Sequence, residues 1–286
     1  MSVKSRWPSL LEMAKVDDGL AFRDCGSWTA DKLFFWHEYL SITTTAMVGN
    51  SNWKAGLSYV DLFAGPGICR VRETGQRLPG SAIIAAHAPK PFEVIHLAEL
   101  DAGSADACEA RMKLSPAKSR FHMHRGDCNQ LVHAIAKALP LRSLTLAFVD
   151  PPGLDIEFDS LRALCTGRAV DLLVLFADAV DAARNVDLYE AVPEHKMDRM
   201  LGEGSEWRDR WSRLLNRVGF RTREFFASEF IEQLKKHLKY TVFRQHTMAA
   251  KGKPLYRIIY ASRNDRGLDF WNKAVRKDRQ GQSELF

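Results

Sequence analysis

The sequence predicts an α/β protein: a Rossmann-like, seven-stranded and mostly parallel sheet with helices on both faces and a helical insertion. Two observations support this fold class. Short apolar runs alternate with segments of helical spacing, and strands that are buried on both faces of a parallel sheet form continuous apolar runs. Polar and glycine-rich residues follow these runs, at the carboxyl ends where open α/β sheets bind ligands.

Seven apolar runs are expected to form the strands. The five parallel strands are predicted at residues 57–63, 93–99, 121–124, 144–149 and 171–176. Residues 240–244 and 255–262 are expected to close the sheet as an antiparallel hairpin, with its turn at residues 249–254.

Helices are predicted where apolar residues recur every three or four positions. The first begins near Ser27 or Thr29, since each residue type suits the N-cap position. Later helices are expected at residues 82–88, 102–114, 131–139, 158–165 and 267–279, and Asn129 can cap the third of these. Residues 70–79 are rich in charge and glycine and are expected to form a loop.

The chain is expected to divide into three parts. Residues 1–179 form the core with its N-terminal helix, residues 180–218 a helical insertion, and residues 219–286 the closing hairpin and last helix of the core. The insertion contains Trp207 and Trp211, which either present a docking surface or pack into a small local core.

The composition favours a globular protein of the cytoplasm. Of 286 residues, 46% are hydrophobic, which is enough for a sizeable core. No membrane partner is expected, because no apolar run approaches the roughly 18 residues of a membrane span, and the N-terminus lacks the apolar segment of a signal peptide. The five cysteines have no C-x-x-C spacing, so neither disulfides nor a metal site are expected.

Positive charge is concentrated near the C-terminus. The chain carries a net charge of +6, and residues 235–279 contain thirteen Lys or Arg against three Asp. Such a patch can attract a polyanion, although an ordinary solvated surface has the same appearance in a sequence.

Glycines follow the first predicted strand, in the segment Asp61-Leu-Phe-Ala-Gly-Pro-Gly67. Glycine allows a backbone to approach a ligand closely, and Asp61 can accept a hydrogen bond from a ligand's ammonium or from water. The segment is not the G-x-G-x-x-G of dinucleotide enzymes, and Pro66 delays the next helix. These features favour a ligand without phosphates, such as one with an amino-acid end.

Three more carboxylates stand at the ends of successive strands. Glu99 can hold both hydroxyls of a ribose, because a carboxylate has two acceptor oxygens. Asp127 could accept an adenine amino group, and Asp150 ends the fourth strand. Such residues also cap helices, but four acids in register indicate one ligand cleft.

These motifs resemble those of class I S-adenosylmethionine-dependent methyltransferases. Asp61–Gly67 is similar to their first motif, and Glu99-Leu-Asp101, Gly126-Asp127 and Asp150-Pro-Pro-Gly153 are similar to the second, third and fourth. The order and spacing also agree.

More narrowly, the chain resembles the three-Cys-motif partner protein family. The likeness includes Trp28-Thr-Ala-Asp-Lys-Leu33, Gly80-Ser81, Lys253-Pro-Leu-Tyr256 and Gly267-Leu-Asp-Phe-Trp271. The three cysteines in the family's name belong to a partner protein, which the resemblance makes a candidate partner of this chain.

The resemblance implies S-adenosylmethionine as the cofactor, held by the part of the chain before residue 180. The implied contacts to its methionine part are Asp61, Phe63, Ala64, Gly65 and Gly67. Those to its adenosine are Glu99, Leu100, Asp127 and Cys128. Lys32 would pair with the cofactor's carboxylate, or else is a solvated surface lysine.

Asp150-Pro151-Pro152-Gly153 bears on the reaction that the resemblance implies. In methyltransferases that act on exocyclic amines, the acid and a proline carbonyl accept the amine's hydrogens, and an aromatic residue stacks on a flipped base. Here Gly153 replaces that aromatic residue, so the acceptor groups remain without the stacking ring. The alternative is that the two prolines only shape a tight turn.

The leading hypothesis is therefore a methyltransferase that acts on a nucleic acid or a nucleotide-like substrate, with Asp150 and Pro151 as its catalytic residues and DNA or RNA as partner. An accessory module that supports a separate enzyme is a second hypothesis, with residues 180–218 as its docking surface. A small-molecule methyltransferase is the third.

Overall fold

A computed structural model describes residues 5–276 of the chain. Its strands are β1 (Arg23–Cys25), β2 (Leu57–Asp61), β3 (Ile68–Val71), β4 (Arg77–Pro79), β5 (Val94–Glu99), β6 (Phe121–Arg125), β7 (Leu144–Val149), β8 (Ala169–Phe176), β9 (Val242–Ala250) and β10 (Lys253–Ser262). Its α-helices are α1 (Trp7–Lys15), α2 (Thr29–Met47), α3 (Ser81–Ala86), α4 (Ala102–Lys113), α5 (Cys128–Ala138), α6 (Phe158–Cys165), α7 (Val186–Ala191), α8 (Lys196–Leu201), α9 (Trp207–Leu214), α10 (Thr222–Leu238) and α11 (Asp265–Val275). A short π-helix spans Asp178–Ala182.

Seven strands form one sheet in the order β6-β5-β2-β7-β8-β10-β9. The first five of these are mutually parallel, whereas β10 pairs antiparallel with both β8 and β9. The predicted seven-stranded, mostly parallel sheet with a closing hairpin is confirmed. The hairpin turn is shorter than expected, because β9 and β10 extend to Ala250 and Lys253.

The central strands are buried along their whole length because helices cover both faces of the sheet. Every residue of β2 and β7 is buried. Val60 and Ala147 face the core that contains residues of α5, α6 and α10, while Tyr59 and Phe148 face the core that contains residues of α2, α3 and α11. Alternate side chains of one strand point to opposite faces, so an apolar run without interruption supplies both cores.

Residues 70–79 contain two strands, so the expectation of a loop was wrong. β3 pairs antiparallel with β4 and parallel with β1 in a separate three-stranded sheet. Val71 and Leu78 are buried, whereas Arg70 is exposed and bonds Asp24. The period-two alternation of apolar and charged residues was obscured in the sequence by the charges of the turn.

Two predicted helix caps were also wrong. α2 begins after Trp28, which makes no side-chain cap hydrogen bond. α5 begins at Cys128, and its N-cap is Asp127, whose carboxylate accepts a hydrogen bond from the amide of Asn129. The side chain of Asn129 instead accepts from the amide of Glu157, so it fixes the loop before α6.

The segment at residues 180–218 is largely helical, and its tryptophans are buried. Trp207 and Trp211 each lie with ring centroids 5.4 Å from that of Phe226 in α10, a helix that falls where no element was predicted. All three belong to the same core as the sheet residue Val60. The hypothesis that the tryptophans form a docking surface was therefore wrong, whereas the division of the chain at residues 179 and 218 stays a prediction.

Loss of the Phe226 ring should destabilise the protein strongly. Phe226 is fully buried against both tryptophans, and Phe→Ala changes in cores cost about 3–5 kcal/mol. We expect a loss of this size for Phe226→Ala in urea unfolding. Val218→Ala, at a fully exposed site of the same segment, should change stability by less than about 0.5 kcal/mol. Equal effects of the two substitutions would contradict the packing of this segment on the sheet.

Candidate functional site

A cleft made of two neighbouring cavities lies at the carboxyl ends of the parallel strands. The inner cavity, of about 300 Å³, lies between the turn after β2, the turn after β7 and the start of α2. The outer cavity, of about 830 Å³, lies beyond the ends of β5 and β6. Arg23, Phe63 and Pro152 line both cavities, which are therefore direct neighbours and together make up the cleft.

Most of the predicted site residues line this cleft. Those of the inner cavity are Lys32, Phe63, Ala64, Gly65, Gly67, Asp150 and Pro151. Those of the outer cavity are Phe63, Glu99, Leu100, Asp127 and Cys128. Asp61 lines neither cavity, because it lies beneath the turn that carries Gly65.

The turn between β2 and β3 presents backbone to the inner cavity. Gly65 and Gly67 adopt φ angles of +61° and +85°, which side-chain-bearing residues rarely take. A Cβ atom on Gly67 would also lie 3.3 Å from Cγ1 of Ile83. Arg111, a buried residue of α4 that was not predicted as part of the site, donates to the carbonyl of Pro66 at 2.6 Å and so anchors the turn.

Glu99 joins the glycine turn to the end of β5. Its Oε2 accepts a hydrogen bond of 2.7 Å from the amide of Gly65, and its Oε1 accepts one of 3.0 Å from the amide of Asp101. Each carboxylate oxygen has a further lone pair. The side chain is therefore held in place while it can still accept hydrogen bonds from two neighbouring hydroxyls in the outer cavity.

The rest of the outer cavity combines apolar and polar groups. Leu100 is 73% exposed and covers one side. Cys128 is buried, and burial raises the pKa of its thiol to about 12, so it contributes a neutral, largely apolar wall. Asp127 is half-buried, with one oxygen engaged in capping α5. Such a slot suits a planar polar ring.

Asp61 supports the glycine turn from below. Its carboxyl group is fully buried and accepts hydrogen bonds from the amide of Phe63 and the hydroxyl of Tyr59, both at 3.2 Å. Burial raises its pKa to about 7, and the nearby charge of Asp150 acts in the same direction. The contacts of Asp61 are therefore structural, and its predicted contact to a ligand stays a prediction.

Lys32 and Asp150 form an ion pair inside the inner cavity. The ammonium of Lys32 makes a short hydrogen bond to Oδ2 of Asp150 and lies 4.9 Å from the ring centroid of Trp28. Lys32 is only 5% exposed, so the alternative of a solvated surface lysine was wrong.

An aromatic pair lies beside Asp150 even though Gly153 has no ring. Trp28 and Tyr256 stack with ring centroids 4.7 Å apart and line the inner cavity. This pair was not predicted from the sequence, although both residues belong to segments that carried the family resemblance.

Asp181 holds the turn after β7 in place. This residue was not predicted from the sequence as part of the site. Its carboxylate accepts from the amide of Leu154 at 3.0 Å, from the side-chain amide of Asn185 at 2.8 Å, and from the hydroxyl of Tyr189. A Cβ atom on Gly153 would lie 2.6 Å from Oδ2 of Asp181. An aromatic residue at position 153 is therefore incompatible with this arrangement.

Two thiols line the inner cavity next to Lys32. Cys25 is half-buried and Cys69 is buried, and all five cysteines are free. A hydrogen bond with the Cys69 thiol lowers the pKa of Cys25 to about 7, and the charge of Lys32 contributes in the same direction. Cys25 is therefore more acidic than an ordinary cysteine thiol.

Within residues 5–276, no group of three or more His, Cys, Asp or Glu side chains could hold a metal ion. No helix in this part of the chain is long and apolar enough to cross a membrane.

The chain matches no protein-family model and no curated protein. Solved structures match it in shape. A Legionella pneumophila protein is 11% identical, with 80% of this chain and 84% of that one covered, at a TM-score of 0.48. An O-methyltransferase from Bacillus cereus in complex with S-adenosylhomocysteine is 9% identical, with 92% of each chain covered, at 0.48.

A third match is the O-methyltransferase TomG from Streptomyces achromogenes, involved in tomaymycin synthesis and solved with S-adenosylmethionine. It is 11% identical, with 92% of this chain and 100% of that one covered, at a TM-score of 0.45. The strand order establishes the fold. Membership of the three-Cys-motif partner family stays a prediction.

The raised pKa of Asp61 should make stability depend on pH. Its pKa of about 7 in the folded chain exceeds the value of 3.8 of an unperturbed Asp, so the folded state binds the proton more tightly than the unfolded state. The resulting stabilisation is present below pH 3.8 and is lost as the pH rises through 7. Asp61→Asn, which does not titrate, should therefore gain stability relative to the unmutated protein between these pH values.

Urea unfolding at a series of pH values measures this difference. Glu73→Gln, at an exposed site of the β3–β4 turn, serves as the control and should follow the unmutated protein at every pH. A constant difference between Asp61→Asn and the unmutated protein across the range would contradict the raised pKa.

Proposed function

We propose that this chain is a class I S-adenosylmethionine-dependent methyltransferase. The observation that carries the proposal is the pair of neighbouring cavities that Glu99, the glycine turn, Lys32 and Asp150 line at the carboxyl ends of the strands. Ligands of open α/β sheets bind at this edge. The predicted residues come from widely separated parts of the sequence, and the parallel strands bring them to the walls of these two cavities.

The outer cavity has the groups that an adenosine needs. Glu99 offers two acceptor oxygens to the vicinal hydroxyls of a ribose. Leu100 and Cys128 provide apolar surface for an adenine ring, and Asp127 provides an acceptor for its amino group. No helix of the cleft presents the G-x-G-x-x-G turn of pyrophosphate sites, which favours a nucleoside ligand without phosphates.

The inner cavity has the groups that an amino-acid end needs. The glycine turn leaves room for a ligand chain against the backbone, and Lys32 provides a buried cation for a carboxylate. When bound, S-adenosylmethionine supplies an electrophilic methyl group on its sulfonium. The chain itself has to orient the two reactants and exclude water, which provides most of the catalysis in such transfers.

An amine is the acceptor that this site favours. The carboxylate of Asp150 can accept a hydrogen of the amine, with the carbonyl of Pro151 as the second acceptor, so that the amine's lone pair faces the methyl group. The Trp28–Tyr256 pair gives aromatic surface beside Asp150, and the exposed Arg72 also lines the inner cavity. We therefore propose a planar amine in a nucleic acid or nucleotide-like substrate, with DNA or RNA as partner.

The basic C-terminal region gives only partial support for a polyanionic partner. Arg257 bonds Asp178, and Arg263 bonds backbone carbonyls such as that of Leu238, so these charges act within the fold. Lys251, Lys253 and Arg276 are exposed and remain candidates for phosphate contacts. Lys277 and Arg279 lie outside the described residues.

An accessory module for a separate enzyme is a second candidate. Exposed apolar side chains in and after the helices of residues 180–218 favour it: Leu188, Val192, Leu215 and Val218. A three-Cys-motif protein would then be the partner. Methyl transfer by the isolated chain would count against this candidate, and transfer to metabolites alone would favour the third hypothesis, a small-molecule methyltransferase.

Calorimetry with S-adenosylhomocysteine tests the donor site. We expect the unmutated protein to bind this product, Gly65→Arg to lose binding, and Glu99→Gln to bind about tenfold more weakly. Gly75→Arg is the matched control: Gly75 also has a positive φ, of +71°, but lies in open space. Its affinity should stay within about twofold of the unmutated value. Absence of binding by the unmutated protein would refute the proposal.

A transfer assay tests the acceptor. The purified chain, supplied with S-adenosylmethionine that carries a tritiated methyl group, is incubated with DNA, RNA, protein and metabolite pools. We expect label in nucleic acid, and a rate at least about a hundredfold lower for Asp150→Ala because the amine loses its acceptor. Asp159→Ala, at an exposed site of α6, should retain the full rate. Binding to DNA or RNA should weaken steeply as the salt concentration rises. Tritiated methyl label found only in metabolites would exclude a nucleic-acid acceptor.

A further inference from the structure

The Lys32–Asp150 ion pair lies between the two halves of the proposed reaction. Lys32 is buried, whereas Arg23 and Arg72, which also line the inner cavity, are exposed. Arg23 lies 3.8 Å from Glu99, and Arg72 donates to the carbonyl of Asp24. A buried ammonium requires an anionic partner, and the partner that the structure gives Lys32 is Asp150.

The same ammonium is within the cavity that the glycine turn lines. Gly65, Gly67, Lys32 and Asp150 all contribute to the walls of the inner cavity. Lysine is a compact charge on a flexible four-carbon stem, so it can change partners without a change in the backbone. An anion bound at the glycine turn and the carboxylate of Asp150 therefore compete for one cation.

We infer that Lys32 is a positioning residue that the methyl donor's carboxylate and Asp150 share, so that donor binding frees an oxygen of Asp150 for the acceptor's amine. The inference rests on the proposed function. While Lys32 bonds Oδ2 of Asp150, that oxygen is less available to an amine. Transfer of the ammonium to the donor's carboxylate removes this competition, and the amine then takes its place beside Asp150.

The exchange has a consequence for affinity. Linkage between two sites is reciprocal, so whatever weakens the hold of Asp150 on Lys32 strengthens binding of a carboxylate-bearing ligand. A ligand that has the same adenosine, thioether and amine but no carboxylate should lack this gain, because its ammonium is attracted by Asp150 and repelled by Lys32. This difference separates the exchange from a general loss of structure.

Calorimetry with two ligands tests the exchange without any acceptor. The ligands are S-adenosylhomocysteine and its decarboxylated analogue, which differ only in the carboxylate. Asp150→Asn keeps the shape and removes the charge, so it should bind S-adenosylhomocysteine about three- to tenfold more tightly. Lys32→Met should bind it about tenfold or more weakly. The analogue, whose remaining ammonium is attracted by Asp150 and repelled by Lys32, should gain no affinity in Asp150→Asn and lose none in Lys32→Met.

The double variant makes the test specific. With Lys32→Met in place, Asp150→Asn should give no further gain, because no ammonium is left to release; this non-additivity measures the coupling. Lys32→Arg keeps the charge and should retain most of the preference for S-adenosylhomocysteine, and thermal unfolding verifies that each variant is folded.

Two results would overturn the inference: equal losses for both ligands in Lys32→Met, or unchanged or weaker S-adenosylhomocysteine binding in Asp150→Asn. If the unmutated protein binds neither ligand, the proposed function itself fails, and the inference with it. Binding of both ligands with the same preference in every variant overturns the exchange alone.

Discussion

The register of three parallel strands determines where Phe63, Glu99 and Asp150 of the cleft lie. Asp61 at the end of β2 pairs with Leu97 of β5 and with Phe148 of β7. Two positions further along the chain come Phe63 and Asp150, just beyond the ends of β2 and β7, and Glu99, the last residue of β5. A shift by one residue would turn alternate side chains to the other face of the sheet, so the cleft exists only in this register. The hydrogen bond from the amide of Gly65 to Glu99 then connects the turn after β2 to the end of β5.

The sheet could be predicted because each strand is indicated by a short, continuous apolar run in the sequence. An apolar run of five or six residues is needed wherever a strand is covered on both faces, and β2 and β7 satisfy this at every position. The ends of such runs also indicate where ligands bind. For this reason the sequence alone predicts that Glu99, Asp127 and Asp150 belong to one cleft.

Contacts between distant segments could not be predicted in this way. Tyr256 lies on the closing hairpin and Trp28 precedes α2, and nothing in either segment reveals that their rings stack. Arg111 looks like an ordinary charged residue of α4, yet it is buried against the glycine turn. The β3–β4 hairpin was not predicted because the charged residues of its turn and edge hide the alternation of a few buried apolar residues in the sequence. Asp61 was expected to face a ligand, but the sequence does not show that Tyr59 and Phe63 occupy its oxygens.

The residue types that the structure allows at positions 153 and 181 depend on each other. The carboxylate of Asp181 occupies the space beside Gly153 and simultaneously anchors Leu154, Asn185 and Tyr189. A relative that has an aromatic residue at position 153 would have to replace Asp181 as well, and would need another way to tether the start of the helical segment to the sheet. The residues at positions 153 and 181 should therefore change together in related proteins.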